Sequence, residues 1–282
     1  MLLNLQTRLS FLPIRSLIKF SLLFLLVGGG SSAWAVNYSL EFDGTDDYAD
    51  LGDINDLDGV SAFSINYWFN ISSGDNFSFF NKRRSANQSL QVKIHPTKGF
   101  IVEVETGSSA FGYLSSFSTT NEWVHAAVVF DGSGASNADK LKLYINGALQ
   151  TLAFTGSIPS TTDTSTDSMF IGTVEGGICC YFNGKMDEIS IFNNDLSADE
   201  VTALYNSGAP LAANSNAGDY TSSANLKGHW RFAENSGTTT YDISGNGNHA
   251  TINGATYSAP GADAAAPAAP TGLVATPGAA QV

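Results

Sequence analysis

The sequence predicts an all-β protein in which two antiparallel sheets pack as a sandwich or jelly roll, with one short helix near residues 197–206. Three observations predict this fold class. Several segments alternate between apolar and polar residues with the period of two that is typical of strands. Turn residues separate these segments at short intervals. Helical spacing is confined to one segment late in the β pattern, and this excludes parallel α/β folds, which need a helix between successive strands.

The first 35 residues are predicted to be a signal peptide. Arg8, Arg15 and Lys19 form a basic start, Phe20–Val27 is an apolar core, and residues 33–35 (AWA) have the small residues of a cleavage site. The apolar run is shorter than the ~20 residues that a spanning helix needs. We therefore expect a secreted or cell-surface protein without membrane insertion after cleavage, with an uncleaved anchor as the alternative.

The strand pattern is clearest in the first half of the remaining chain. Residues 62–71 place Ile and aromatic side chains at every second position, and residues 90–94 and 100–104 alternate in the same way. Trp123–Phe130 is apolar at nearly every position, which predicts a central strand covered on both faces. Residues 140–145 lead into an Asn-Gly pair, the strongest short signal for a hairpin turn.

Residues 184–208 predict a strand, a turn and the helix. The strand contains the acidic pair Asp187-Glu188 and then alternates. Ser197 and Glu200 have the spacing of a capping box, and an apolar face and a closing glycine follow them.

Five motifs occur in the order of a known family. They are SLEFDGTDDYADLG (39–52), FSINYWFN (63–70), NEWVHAAVVFDG (121–132), LKLYINGALQ (141–150) and YFNGKMDEISIFNNDLSADEVTALY (181–205). The ordered set resembles the LamG-like, concanavalin A-like (lectin/glucanase) jelly-roll domains of bacterial secreted proteins, which are related to pentraxin and laminin G modules. The resemblance covers residues 36–210 and implies a concanavalin A-like jelly-roll β-sandwich.

The remaining sequence predicts further segments. Residues 211–260 form a C-terminal extension that resembles the opening segment of a LamG-like domain; it either adds strands to the same sandwich, which we favour because few residues remain, or begins a second, truncated copy. Residues 261–270 are an Ala/Pro-rich linker. Residues 271–282 resemble the start of a fibronectin type III domain, so we expect a longer, multidomain protein.

The charge balance restricts the partners. The chain has 13 Lys and Arg against 26 Asp and Glu, a formal net charge of −13. Such a surface repels nucleic acids and anionic membranes, and it favours cations or neutral partners such as sugars. The alternative is that the charge serves solubility alone.

Residues 43–58 contain seven aspartates and no Lys or Arg. Clustered carboxylates repel one another unless water or a hard cation such as calcium separates them. Asp43 and Asp187 both lie in family motifs on strands expected to be neighbours, so we predict a calcium site with Asp43, Asp46 and Asp187 as ligands. The alternatives are a solvated turn and, for Asp43 and Asp187, hydrogen bonds to backbone amides at a strand end.

A second oxygen-rich loop begins at Asp242. Its sequence, DISGNG, has the early spacing of a calcium-binding EF-hand loop. Position 12 is Asn253 instead of the bidentate glutamate, so tandem Asn/Gly turns are the better interpretation.

Catalysis is not predicted. The glucanases that share this fold have an E-x-D-x-x-E motif on one strand. Retaining enzymes need two carboxyl groups about 5–5.5 Å apart. In alignment with Asp187, this chain has Lys185 and Ser190 at the two glutamate positions. His125 lies in an apolar strand and is predicted to be a core histidine. A catalytic domain elsewhere in a longer protein is not excluded.

Two loops resemble the ligand-binding loops of the pentraxin-like relatives. Residues 81–89 include Asn87 and Gln88, and residues 176–183 include Tyr181 and follow Glu175. The resemblance implies that Asn87, Gln88 and Glu175 provide oxygens to calcium or to sugar hydroxyls, and that Tyr181 or Phe182 stacks on a sugar ring. The alternative is ordinary loop chemistry.

The two cysteines, Cys179 and Cys180, are adjacent. They cannot join distant segments. A disulfide between the two, free thiols and intermolecular pairing all remain open.

Together these observations predict a non-catalytic binding or adhesion module that recognises a glycan or an extracellular protein and contains a structural calcium. One alternative is an accessory carbohydrate-binding domain of a larger polysaccharide-degrading enzyme. Another is a structural spacer in an adhesin.

Overall fold

The computed structural model describes residues 37–118 and 121–262. The predicted signal peptide (1–35) and the predicted fibronectin type III start (271–282) lie outside these residues, as does the linker from residue 263 onward. Among the described residues, no helix combines the length and the apolar character that crossing a membrane requires.

Strands make up most of the regular structure. Those of the described residues are β1 (Ser39–Asp43), β2 (Tyr48–Asp50), β3 (Ala62–Ser73), β4 (Phe77–Ser85), β5 (Gln88–His95), β6 (Gly99–Thr106), β7 (Phe111–Leu114), β8 (Val124–Asp131), β9 (Leu141–Ile145), β10 (Ala148–Leu149), β11 (Ala153–Thr155), β12 (Met169–Ile171), β13 (Asn183–Phe192), β14 (Leu226–Trp230), β15 (Thr239–Thr240), β16 (Ala250–Asn253) and β17 (Thr256–Ser258). The α-helices are α1 (Asn137–Lys140), a single turn, and α2 (Ala198–Tyr205).

The strands form two antiparallel sheets, as predicted. Sheet A has the order β10-β9-β8-β3-β13-β1-β17, and β14 also pairs with β13. Sheet B has the order β11-β7-β6-β5-β4-β12-β2-β16-β15. The all-β sandwich class is confirmed, and the predicted helix is α2.

Aromatic side chains fill the space between the sheets. The predicted strand at residues 62–71 is β3 of sheet A, and it sends Phe63, Tyr67 and Phe69 inward, each at most 1% exposed. The Tyr67 ring centroid lies 4.7 Å from that of Phe80 in sheet B, and the Phe69 centroid lies 4.7 Å from that of Phe79. Because each buried aromatic ring removes a large apolar area from water, this layer contributes strongly to stability.

The predicted central strand is β8, which pairs with β3 on one side and β9 on the other. Ala126, Val128 and Phe130 belong to the core between the sheets. Ala127 and Val129 belong to a second, smaller core on the outer face of sheet A. Strand β8 is therefore apolar on both faces because both faces are covered, as predicted.

Helix α2 covers that outer face. Ser197 accepts a hydrogen bond from the Glu200 amide, and the Glu200 carboxylate accepts one from the Ser197 amide, so the predicted capping box is present. Val201 and Leu204 are at most 1% exposed, and Tyr205 stacks on Trp68 of β3 at 5.8 Å. The helix holds an apolar layer against the sheet.

One edge of β13 has two neighbours in succession. Met186 and the residues before it pair with β1, whereas Ile189 and the residues after it pair with β14. A bulge separates the two halves, and Glu188 within it has a φ of 48°. Because β14 and β17 join sheet A and β16 joins sheet B, residues 226–258 pack on the same sandwich as β1 to β13.

Candidate functional site

A groove of about 370 Å³ lies on the outer face of sheet B, across β4, β5 and β6. Because side chains alternate along a strand, the residues next to the core residues Leu90, Val92, Val102 and Val104 point to this face. We call this feature the sheet B groove. It is lined by Asn76, Phe77, Arg83, Ala86, Asn87, Ser89, Gln91, Lys93, His95, Glu103, Glu105, Ser109, Val174, Cys179 and Cys180.

The floor of the groove is a hydrogen-bonded polar layer. Ser89 Oγ donates to Glu105 Oε2 at 3.1 Å, and the Ala110 amide donates to Glu105 Oε1 at 3.2 Å. Gln91 Nε2 donates to Ser78 Oγ at 3.2 Å. Ser89, Gln91 and Glu105 are each at most 6% exposed, so their positions are fixed by the sheet. The floor therefore offers preorganised donors and acceptors.

The charges of the groove occur mainly in pairs. Arg83 Nη1 lies 2.7 Å from Glu175 Oε1. Lys93 forms an ion pair with Glu103, and its ammonium also donates to Gln91 Oε1 at 3.2 Å. Burial raises the pKa of Glu103, and Lys93 only partly opposes this effect. Both cations of the lining therefore have carboxylate partners, whereas the Glu105 carboxylate is held by Ser89 and the Ala110 amide.

The four predicted ligand residues divide between the groove and its surroundings. Asn87 lines the groove from the turn between β4 and β5, where its φ is 62°. Glu175 does not line the groove itself, but it forms an ion pair with Arg83, which does. Gln88 points elsewhere and donates to Asp163 Oδ1 at 3.4 Å. Tyr181 is half-buried, and its hydroxyl donates to the Gly177 carbonyl.

The floor residues were not predicted as a site. Their signal was the polar half of the alternation in β5 (QSLQVKIH) and β6 (GFIVEVET), of which the prediction used only the apolar half. Alternation assigns a residue to a face, but it does not tell which outer face stays open.

The structure contains a disulfide between Cys179 and Cys180. Cys179 is exposed and Cys180 is half-buried, and both line the sheet B groove. The Cys179 carbonyl accepts hydrogen bonds from the Val174 amide at 3.2 Å and from Thr173 Oγ1 at 3.0 Å. The bridge is therefore part of the groove wall.

Three carboxylates converge at the turn between β1 and β2. Asp43, Asp46 and Asp47 each offer an oxygen within 4.8 Å of the others. The Asp47 carboxylate accepts a hydrogen bond from the Asp43 amide at 2.9 Å, and burial, followed by the two neighbouring carboxylates, raises its pKa. Within the described ranges, no Lys or Arg forms a salt bridge with these three residues. Three carboxylate oxygens are a donor set that suits Ca²⁺.

Asp187 lies apart from this turn. Asp43 pairs with Asn183, and Asp187 follows four residues later, about 13 Å along the strand. The Asp187 carboxylate is fully buried and accepts hydrogen bonds from Asn37 Nδ2 at 3.1 Å and from the Ala262 amide at 2.8 Å. The strands are neighbours, as expected, but the register separates the two carboxylates. The geometry of Asp187 matches the alternative role, the binding of an amide near a strand end.

Other aspartates of residues 43–58 have basic partners from distant segments. Lys82 is 4% exposed, forms an ion pair with Asp53 and lies 3.3 Å from Asp58. Lys227 lies 3.6 Å from Asp56. The absence of Lys and Arg in the segment itself was therefore a poor guide to its environment.

The Asp242 loop has the geometry of a turn. One carboxylate oxygen of Asp242 accepts from the amides of His229, at 2.9 Å, and Ser244, at 2.8 Å. The other accepts from the Asn248 amide at 3.0 Å. Both oxygens thus hold the loop.

No acid/base pair lies at the position that a glucanase of this fold would use. Lys185 Nζ donates to Ser258 Oγ at 2.9 Å, and Ser190 is buried. The neighbouring carboxylate, Glu188, holds His229 Nε2 at 2.9 Å and Arg231 Nε at 2.6 Å. Burial lowers the pKa of His125 to about 3, as expected for a histidine in the apolar interior.

Comparisons with known proteins agree with this architecture. A laminin G model, described as the concanavalin A-like lectin/glucanases superfamily, matches residues 43–202, more than half of the chain. Over 105 residues the chain is 30% identical to the human adhesion G-protein coupled receptor D1. This match covers 37% of the chain and 11% of the receptor. The chain thus spans about a tenth of that relative's length.

The chain also superposes on solved structures. A candidate carbohydrate-binding protein from Bacteroides ovatus superposes with a TM-score of 0.58 and 17% identity, over 80% of this chain and 60% of that one. A heptameric SAP-like pentraxin from Limulus polyphemus superposes with a TM-score of 0.47 and 13% identity, over 61% of this chain and 82% of the pentraxin. At 17% identity, the likeness to the Bacteroides ovatus protein concerns the fold alone.

Proposed function

Because this chain belongs to the concanavalin A-like lectin/glucanases superfamily, we propose that it is a non-catalytic binding module of a secreted or cell-surface protein and that its sheet B groove binds a glycan. The observation that carries the proposal is the polar floor of the groove. Gln91, Ser89 and Glu105 are buried, fixed and directed outward beside paired charges.

A sugar hydroxyl both donates and accepts hydrogen bonds, so it matches a floor that presents both kinds of atom. Gln91 has an amide with donors and an acceptor, and Glu105 is an acceptor. Because Arg83 and Lys93 are already paired with carboxylates, an anionic ligand would have to compete with those ion pairs. A neutral, hydroxyl-rich ligand needs no such exchange.

We further propose that a calcium ion binds at Asp43, Asp46 and Asp47 and has a structural role. The turn that holds these residues joins β1 of sheet A to β2 of sheet B. A bound cation would offset the repulsion among the three carboxylates and would fix this connection. This set replaces Asp187 of the predicted ligand set by Asp47.

A non-catalytic role is favoured by the residues beside Asp187. Lys185 and Ser190 cannot replace a general acid and a nucleophile, because retaining glycosidases need two carboxyl groups about 5–5.5 Å apart.

The test is a glycan array probed with the full chain and two matched variants. Gln91→Ala removes a floor amide, whereas Gln88→Ala removes the same group from a side chain that points away from the groove. We expect the wild type and Gln88→Ala to bind the same glycans. Gln91→Ala should lose that binding while it stays folded at the assay temperature, although the loss of its buried hydrogen bonds lowers its melting temperature. Absence of wild-type binding to every glycan, with and without EDTA, would refute the proposal.

A further inference from the structure

The segment from Val174 to Cys180 forms one wall of the sheet B groove. Two contacts attach it to β4. The Ser78 amide donates to the Cys180 carbonyl at 2.9 Å, and the Glu175 amide donates to Asn81 Oδ1 at 3.1 Å. The ion pair between Arg83 and Glu175 adds a third contact. These contacts therefore fix the position of the wall relative to β4 and the floor of the groove.

This wall differs chemically from the floor. Its groove-lining residues are Val174 and the two bridged cysteines, and Phe77 of β4 lies next to them in the lining. Val174 and Phe77 are buried, at 8% and 2% exposed, whereas Cys179 is exposed. Ile178 of the same segment is 68% exposed but does not line the groove. Among the wall residues that do line it, the disulfide is thus the apolar group that a ligand can reach, and its sulfur atoms are soft and polarizable.

The position of the bridge in the sequence gives a second argument. A disulfide lowers the chain entropy of the unfolded state, and this stabilising effect grows with the logarithm of the number of residues in the loop that it closes. Neighbouring residues close the smallest loop, so this bridge contributes very little to global stability in that way. Its effect must be local, on the shape and the surface of the wall.

We propose that the Cys179–Cys180 disulfide is a ligand-contacting platform, on which the apolar C–H face of a pyranose ring packs while its hydroxyls bind the polar floor. This inference rests on the proposed glycan-binding function and narrows it to ring sugars. Reduction removes the platform. A dithiol such as dithiothreitol transfers two electrons and two protons, which breaks the S–S bond, leaves two thiols on the protein and closes the reagent into a cyclic disulfide.

The test uses saturation-transfer NMR on the full chain with named probes. These are the methyl pyranosides of galactose, glucose and mannose, with sorbitol as a hydroxyl-rich molecule that has no ring face. The proteins are the wild type with and without dithiothreitol, the double variant Cys179→Ser/Cys180→Ser, and Gln91→Ala. Because the chain has only two cysteines, any effect of the reductant that is absent from the double variant belongs to this bond.

We expect the oxidised wild type to bind at least one pyranoside through its ring C–H protons and to bind sorbitol weakly. Reduction and the double substitution should each lower pyranoside affinity about tenfold, with a melting temperature within about 4 °C of the wild type. Equal pyranoside binding by the oxidised wild type and the double variant, with loss in Gln91→Ala, overturns the platform and leaves the proposed function standing. Absence of pyranoside binding by the wild type overturns the platform, and absence of binding on the glycan array as well overturns both.

Discussion

The outer faces of the two sheets follow the same alternating pattern, yet one is covered and the other is open. On sheet A the outward residues include Ala127, Val129 and Phe192, which form an apolar layer under Val201 and Leu204 of α2. On sheet B most outward residues of β5 and β6 are polar or charged and line the groove; the exception is Ile101 of β6, which is apolar and buried and does not line it.

The difference shows what the outward half of a strand pattern decides. An apolar outward face must be removed from water, so the chain provides a helix for it. A polar outward face whose charges are paired needs no cover, so it stays available to a ligand. The outward-facing residues of the strands, which do not belong to the core, therefore determine where a ligand can bind.

The largest effect is expected where the cover of sheet A is weakened. Leu204→Ala removes a buried side chain from α2, and we expect a loss of about 2–5 kcal/mol in the free energy of unfolding, measured by urea denaturation. Thr202→Ala changes an exposed residue of the same helix and should stay within about 0.5 kcal/mol. If sheet B is independent of this cover, sugar binding by folded Leu204→Ala is unchanged; a matching loss of binding would show that the two faces are coupled.

The second effect concerns the turn that connects the sheets. Calcium at 100 times its dissociation constant should raise the free energy of unfolding by about 2.7 kcal/mol, because it binds only the native state. Asp46→Asn should abolish the rise in melting temperature with calcium. Asp75→Asn, which removes an exposed carboxylate elsewhere, should keep it, and a wild-type melting curve that is identical in calcium and in EDTA would rule out the site.

A third effect separates the two faces by pH. On the covered face, burial acts to raise the pKa of Glu200, but the hydrogen bonds from Ser222, Ser197 and Thr221 outweigh it and lower the pKa below its usual 4.5. The stability that this carboxylate contributes is present above the unfolded-state pKa and is lost as the pH falls through the folded-state pKa. On the open face the pKa of Glu103 is raised, so its contribution is present at low pH and is lost as the pH rises through the folded-state pKa.

We therefore expect the two glutamine variants to change the pH profile of unfolding in opposite directions. In Glu200→Gln, the free energy of unfolding should fall less steeply as the pH is lowered. In Glu103→Gln, the decrease in the free energy of unfolding that the ionisation of Glu103 causes as the pH rises above 4.5 should be absent. Urea unfolding at intervals from pH 3 to pH 7 measures both, with Glu122→Gln as an exposed control. Parallel profiles for all three variants would contradict the assignment.

The smallest effect on stability is expected at the groove wall. Arg83 and Glu175 are each about one-third exposed, at 32% and 34% of their side chains. Arg83→Met should therefore change the free energy of unfolding by no more than about 1 kcal/mol. Because the pair holds the wall in place, glycan affinity should fall more than stability does, and a variant that keeps full affinity would show that the wall is held by its backbone contacts alone.

Much of the fold was predictable because it depends on local patterns. The alternation in residues 62–71 and the Ser197–Glu200 capping box are encoded within a few positions, and both are present in the structure. The family resemblance added the order of the elements, and the match over residues 43–202 confirms it.

The site was less predictable because it depends on register and on distant partners. Asp43 and Asp187 lie on neighbouring strands, but the antiparallel register places Asn183 opposite Asp43. Lys82 contacts two carboxylates, those of Asp53 and Asp58, from a position far along the chain. No pattern within a single strand contains this information.

The shared edge of β13 has a practical consequence for dividing the gene. The family match ends at residue 202, and a fragment designed on that match alone would stop near Pro210. Such a fragment lacks His229 and Arg231, which would leave the Glu188 carboxylate without those two partners, and it exposes half a strand edge that β14 normally covers. Unpaired edges recruit other chains. A fragment that ends after Ala262 keeps the edge covered and is the piece that we expect to remain monodisperse.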